Sequence, residues 1–121
     1  MKRPSHKELS GKIRAAKEAV AKGNISLINH TSIIADALEL GYSIKNDLQD
    51  ILLELLERTG PEDYAGEKPP HKSYEKKIEG LELFAFKKEC GYFSDDIYYK
   101  FTLYENELFL VSLHKNRNQR D

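Results

Sequence analysis

Four side chains near the C-terminal end of the chain could do chemistry together: Tyr98, Lys100, Ser112 and His114. A phenol, an ammonium, a hydroxyl and an imidazole on one sheet face suit metal-free cleavage of RNA. That reaction needs a base for the 2′-hydroxyl proton, an acid for the departing 5′-oxygen, and cations for the charge on a phosphorane-like transition state. Histidine serves as acid or base near neutral pH. Tyrosine donates a proton or stacks on a splayed base, and lysine supplies charge. The competing reading is an ordinary solvated strand face. A second concentration lies in residues 59–80, where Lys68, His71, Lys72, Tyr74, Lys76 and Lys77 fall close together. An anionic substrate would use such a set. His71 becomes a second acid or base if this segment folds over the sheet. The competing reading is a tethered, solvated connector.

The strands that must position the first set are Ile97–Tyr104 and Leu108–Lys115, joined around Glu105-Asn106-Glu107. A two-residue turn pairs Tyr104 with Glu107 and drops Lys100 among Phe109, Val111 and Leu113, an expensive place for an ammonium. A three-residue turn pairs Tyr104 with Leu108. Ile97, Tyr99, Phe101 and Leu103 then share one apolar face with Phe109, Val111 and Leu113. Tyr98, Lys100, Thr102, Ser112 and His114 share the other, with Tyr98 across from His114. The second register is expected, with Asn106 or Glu107 in the left-handed position of a bulged turn. A further short strand is expected over Leu81–Lys87, and turn signals follow at Cys90-Gly91 and Ser94-Asp95-Asp96.

The first half reads as helices. Ser5 and Glu8 form a capping-box pattern ahead of Leu9, Ile13, Ala16 and Val20, and Gly23 stops the helix. Thr31 caps a short helix over Ser32–Leu40 that ends at Gly41. Ser43 caps Ile44–Arg58, whose Ile44, Leu48, Ile51, Leu52, Leu55 and Leu56 make a wide apolar stripe. Asp47, Asp50, Glu54 and Glu57 then form its solvated acidic face. Residues 59–80 are a long loop, and 116–121 are a polar, frayed tail. Residues 1–121 thus read as one α+β domain, with N-terminal helices packed on a small antiparallel sheet ending in a β-hairpin.

Composition narrows the classes. Lys and Arg number 19 against 20 Asp and Glu, for a net charge of −1. That argues against a protein that coats DNA, so no direct DNA binding is expected. The balance hides an asymmetry, because residues 1–22 carry net +5 and residues 23–67 net −7. The C-terminal Lys115, Arg117 and Arg120 leave a local basic surface. One cysteine, Cys90, excludes an internal disulfide and a cysteine-cluster zinc site. Its neighbours Lys87 and Lys88 could lower the thiol pKa; the competing and favoured reading is a lone cysteine of no special role. The four histidines His6, His30, His71 and His114 form no ligand pair at helical spacing, so no metal and no cofactor are expected. The sequence contains no apolar run long enough to span a membrane and no signal-peptide pattern, which points to the cytoplasm.

Several strings carry a family likeness. Arg3-Pro4-Ser5-His6 with Leu9-Ser10, Ala37-Leu38-Glu39-Leu40-Gly41, Ile97-Tyr98-Tyr99-Lys100-Phe101-Thr102 and Leu110-Val111-Ser112-Leu113-His114-Lys115 resemble the motility quorum-sensing regulator (MqsR) toxins. Those belong to the RelE-like class of bacterial toxin ribonucleases. The resemblance implies a ribosome-independent mRNA endonuclease with a metal-free site on its sheet. It also implies a cognate antitoxin, encoded next to it, that holds it inactive. The family's hairpin tyrosine falls on Tyr98. Its basic residue near the end of the last strand falls on His114, where lysine is usual, with Lys115 next. Its upstream lysine falls on Lys68 or Lys72, and a family glutamine near the first sheet strand has no counterpart.

Two functions follow as expectations. The first is an endoribonuclease toxin using Tyr98, His114, Lys68, Lys72 and His71, with RNA held by Lys100, Lys115, Arg117 and Tyr74. The second is a non-catalytic RNA- or protein-binding relative of the same fold, which histidine in place of lysine at position 114 favours.

Overall fold

The computed structural model describes residues 4–93 and 95–116. Residues 1–3, Ser94 and the tail from Arg117 onward lie outside the described residues, so the expectations for Arg3, for the turn at Ser94, for Arg117 and for the rest of the tail fall there.

Helix α1 spans His6–Ala21, with Ser5 Oγ accepting from the Glu8 amide at 3.0 Å. Helix α3 spans Ile44–Arg58. Ser43 Oγ accepts from the Asn46 amide, and Asp47 Oδ2 accepts from the Ser43 amide at 2.9 Å, so two otherwise orphaned donors are satisfied at that end. Helix α2 spans His30–Leu40 and ends at Gly41, whose φ of 85° suits a residue without a Cβ. It begins two residues before the expected start. Asn29 stands at the cap without a side-chain bond to the helix, and its side-chain amide instead donates to the Val111 carbonyl.

The sheet has four strands in the order β1-β4-β3-β2, formed by β1 (Ile25–Leu27), β2 (Phe84–Glu89), β3 (Asp96–Tyr104) and β4 (Glu107–Lys115). The fold is therefore α+β, as expected, but the sheet is mixed. β1 pairs with β4 in parallel, and the other pairs are antiparallel. A three-residue strand carries too little alternation to be seen in sequence. Ser26, at its centre, hydrogen-bonds the Glu107 carboxylate.

The hairpin register corrects one expectation and keeps its consequence. Tyr104 pairs with Glu107, so the turn has two residues, Glu105 and Asn106, both left-handed with φ of 49° and 66°. This turn twists in the same sense as the strands it joins. The extra residue that the apolar pattern demanded sits further along, in a β-bulge. Phe101 pairs with Leu110 and Lys100 with Ser112, leaving Val111 as the additional residue of β4. Beyond the bulge the expected pairing holds, Tyr98 opposite His114. Before it the faces differ from expectation. Leu108 and Leu110 enter the core in place of Phe109, and Leu103 is only partly buried. Thr102, expected on the open face, is buried with its hydroxyl donating to the Glu82 carbonyl at 2.6 Å. A glutamate at positive φ is costly. Replacing Glu105-Asn106 with Asn-Gly is accordingly expected to raise stability by about 1 kcal/mol, read as a higher urea midpoint.

The core lies between the sheet and the helices. Leu9, Ile13, Ala16 and Val20 of α1 and Ile51, Leu52, Leu55 and Leu56 of α3 close on Phe84, Phe86, Ile97, Tyr99, Phe101 and Leu113. Tyr99 is fully buried, and its hydroxyl meets Thr59 Oγ1 at 2.6 Å. Thr59 Oγ1 donates in turn to the Leu55 carbonyl, so the phenol donates to the threonine. Burial thus ties the C-terminal end of α3 to β3 through a completed polar chain.

Residues 59–80 are more organised than a long loop. They hold 3-10 turns at Pro61–Asp63 and Lys76–Ile78. Tyr64 pairs with Phe86 on the free edge of β2, and the Ala65 amide donates to the Ala85 carbonyl at 2.8 Å. Residues 71–73 pair with 81–83. The segment is a folded arm stitched to the start of β2, which itself begins three residues later than expected.

Candidate active site

On the face away from the core, Tyr98 and His114 stack across the β3–β4 ladder with ring centroids 5.2 Å apart and planes 22° from parallel. The next pair along the same face is Lys100 with Ser112. On the other side of β3, Lys87 pairs with Tyr98 and Ala85 with Lys100. Alternation in the strands therefore presents a row of Lys87, Tyr98 and His114 beside a row of Ala85, Lys100 and Ser112.

The folded arm turns part of that face into a cavity. One anchor joins Tyr64 and Ala65 to β2, and the other joins residues 71–73 to 81–83 just ahead of it, so Gly66 and Glu67 come to line the face. Ala65, Gly66, Glu67, His71, Leu83, Ala85, Tyr98 and Lys100 enclose about 80 Å³. Gly66 is required there, because a Cβ would lie 2.7 Å from the Tyr64 hydroxyl. That hydroxyl donates to the Glu67 carbonyl and fixes the turn. Glu67 Oε1 stands 3.8 Å from His71 Nε2.

The arm thus brings His71 to Tyr98 and Lys100, and leaves the other expected residues of the segment apart. Lys68 and Lys72 are exposed and do not line the cavity, and Lys72 forms a backbone bridge to Glu82. Tyr74 is 95% exposed, away from the cavity lining. Lys115 pairs with Asp95 at 3.6 Å. Glu67 and Lys87 are the residues that sequence reasoning did not place at this face. Lys87 was hidden by the uncertain start of β2. Glu67 was hidden by an arm whose pairing leaves no periodic trace.

Protonation follows from the surroundings. Burial, and then the Glu67 carboxylate, push the Tyr98 phenol above its ordinary value, so it keeps its proton near neutrality and is suited to donate. His114 Nδ1 lies 2.8 Å from the Lys115 carbonyl, which can only accept. A hydrogen on Nδ1 satisfies that contact, which makes Nε2 the accepting nitrogen of the neutral ring. Cys90 follows the plainer of its two readings, a cysteine without a special role. It is buried, and burial outweighs the other influences and raises its thiol, so the nearby lysines do not activate it. Among the described residues no group of three or more His, Cys, Asp or Glu side chains gathers as a metal-ligand set. No helix of the described residues is long and apolar enough to cross a membrane.

The buried phenols make a pH prediction. Tyr42 is pushed up to about 12, by burial and then by Asp36, and burial also raises Tyr99. Above the ordinary tyrosine range, about pH 10, the folded chain keeps these protons while the unfolded chain loses them. Stability is then lost as pH rises. The urea midpoint is expected to hold level to about pH 9 and to fall beyond about pH 10, with a shallower fall in Tyr42→Phe.

Neither a protein-family model nor a curated protein matches the chain.

Proposed function

We propose that this protein is a metal-independent endoribonuclease of the toxin type, acting on mRNA and restrained by a cognate antitoxin encoded beside it. The observation that carries the reading is the stacked Tyr98–His114 pair, set beside a cavity that also holds Lys100 and His71. The reading draws on the MqsR-like strings of the last hairpin and on the chemistry of the set. An imidazole takes the 2′-hydroxyl proton, and O2′ bonds to phosphorus. The P–O5′ bond breaks, and the Tyr98 phenol protonates O5′. Lys100, with Lys87 exposed alongside, offsets charge on the phosphoryl oxygens. The products are a 2′,3′-cyclic phosphate and a 5′-hydroxyl.

A second reading, a non-catalytic RNA- or protein-binding relative, is favoured by one observation: the cavity contains a carboxylate, Glu67, which opposes an entering phosphate. The two separate in one experiment. The chain is expressed alone and together with the product of the neighbouring reading frame, growth is followed, and the purified protein is incubated with RNA in EDTA. Arrested growth relieved by the neighbour, with RNA ending in cyclic phosphate, is expected. Intact RNA would reject the nuclease and favour the binding module.

A further inference from the structure

Two histidines stand near the phenol, and the geometry assigns them different work. We infer that Glu67 and His71 form the acid–base dyad of the cavity, with Glu67 positioning the imidazole and His71 Nδ1 taking the 2′-hydroxyl proton, while His114 serves as a stacking platform. The inference rests on the nuclease reading above and adds to it a positioning carboxylate and a division of roles.

Three observations carry it. His71 lines the cavity together with Tyr98 and Lys100, whereas His114 does not. The Glu67 carboxylate faces one nitrogen of His71, Nε2, at 3.8 Å. A carboxylate on one imidazole nitrogen favours the tautomer with hydrogen there and leaves the other nitrogen as the base. Contacts of this sort are commonly long in a free enzyme and close on substrate binding. Third, His114 has one ring face and one nitrogen committed differently. Its ring lies nearly parallel to Tyr98, and its Nδ1 donates to the Lys115 carbonyl. A paired phenol and imidazole present a flat π-surface, which suits a base splayed out of a strand.

The placement of Glu67 is specific to this fold. Tyr64 and Ala65 are held to β2, Gly66 admits the Tyr64 hydroxyl, and that hydroxyl holds the Glu67 carbonyl. His71 is fixed four residues later, where its carbonyl accepts from the Leu83 amide at 2.8 Å. The titratable residues that share the cavity lining with His71 are Glu67 from the arm and Tyr98 and Lys100 from β3, and the His71 and Glu67 side chains stand at its open rim, 71% and 65% exposed. The carboxylate that counts against simple phosphate binding thereby acquires a role in orienting the base.

The test uses the full chain, a fluorescently labelled RNA oligonucleotide of mixed sequence, and circular dichroism to confirm folding of each variant. His71→Ala is expected to lose about 10²-fold or more in kcat and to regain activity with added free imidazole, a response that a structural lesion does not give. Glu67→Gln is expected to lose about 10-fold in kcat with little change in KM. His114→Ala is expected to raise KM and to show no imidazole rescue. If wild-type protein cleaves while His71→Ala retains full kcat, or if imidazole rescues His114→Ala instead, the dyad is overturned and the nuclease stands. If wild-type protein leaves the oligonucleotide intact, the nuclease reading itself falls and the dyad falls with it.

Discussion

Tyr98→Phe is expected to lower RNA cleavage by roughly 10²-fold or more, the range lost when a positioned proton donor is removed, while the urea midpoint moves little. The substitution keeps the ring that stacks on His114, so the change isolates the hydroxyl. Burial and Glu67 keep that hydroxyl protonated near neutrality, which fits a donor to the 5′-oxygen better than a resting base. The measurement is single-turnover cleavage of labelled RNA by both proteins at equal fold content. Equal rates would remove the phenol from the chemistry and leave the pair a binding surface only.

The second large effect concerns stability. Phe86→Ala is expected to cost about 3–5 kcal/mol, a large part of the 5–15 kcal/mol that holds a typical domain together. In melting temperature this is a fall on the order of 15 °C. Phe86 is fully buried. Its ring meets Tyr64 edge-on at 5.8 Å, Phe101 in a stack at 6.0 Å and Tyr99 at 6.0 Å. Rigid neighbours on three sides leave a cavity that cannot close by small shifts. Its backbone also pairs with Tyr64, so truncation loosens the root of the arm that carries Glu67 and His71. Proteolysis within residues 66–70 should therefore quicken in the variant even below its melting range. A loss under about 1 kcal/mol would mean that the cluster repacks and that the arm is not anchored through this ring.

Parts of this molecule were readable because one local rule decided them. Helix α3 has its expected bounds since Ser43, a wide apolar stripe and the threonine-glycine-proline break at 59–61 all agree. The pairing of Tyr98 with His114 was readable because only one alignment buries Tyr99, Phe101 and Leu113 together. Where the extra residue went was not readable. A longer turn and a bulge satisfy the same alternation at the far end of the hairpin, and the choice depends on strand twist and on β1 and Asn29, which engage β4 near Val111. Lys68, Lys72 and His71 looked equivalent as neighbouring cations. The backbone bridges of the arm separate them, and such bridges depend on a partner strand over ten residues away.

The parallel join of β1 to β4 has a consequence for how the chain is made. Ile25, Ser26 and Leu27 wait for Leu108, Phe109 and Leu110, about eighty residues later. As the polypeptide leaves the ribosome, α1 and α3 emerge with their greasy stripes before the hairpin that covers them exists. The sheet is sealed only once β4 is available to pair with β1, so its closure depends on a high share of distant pairings. Until then the exposed stripes are what a chaperone would see.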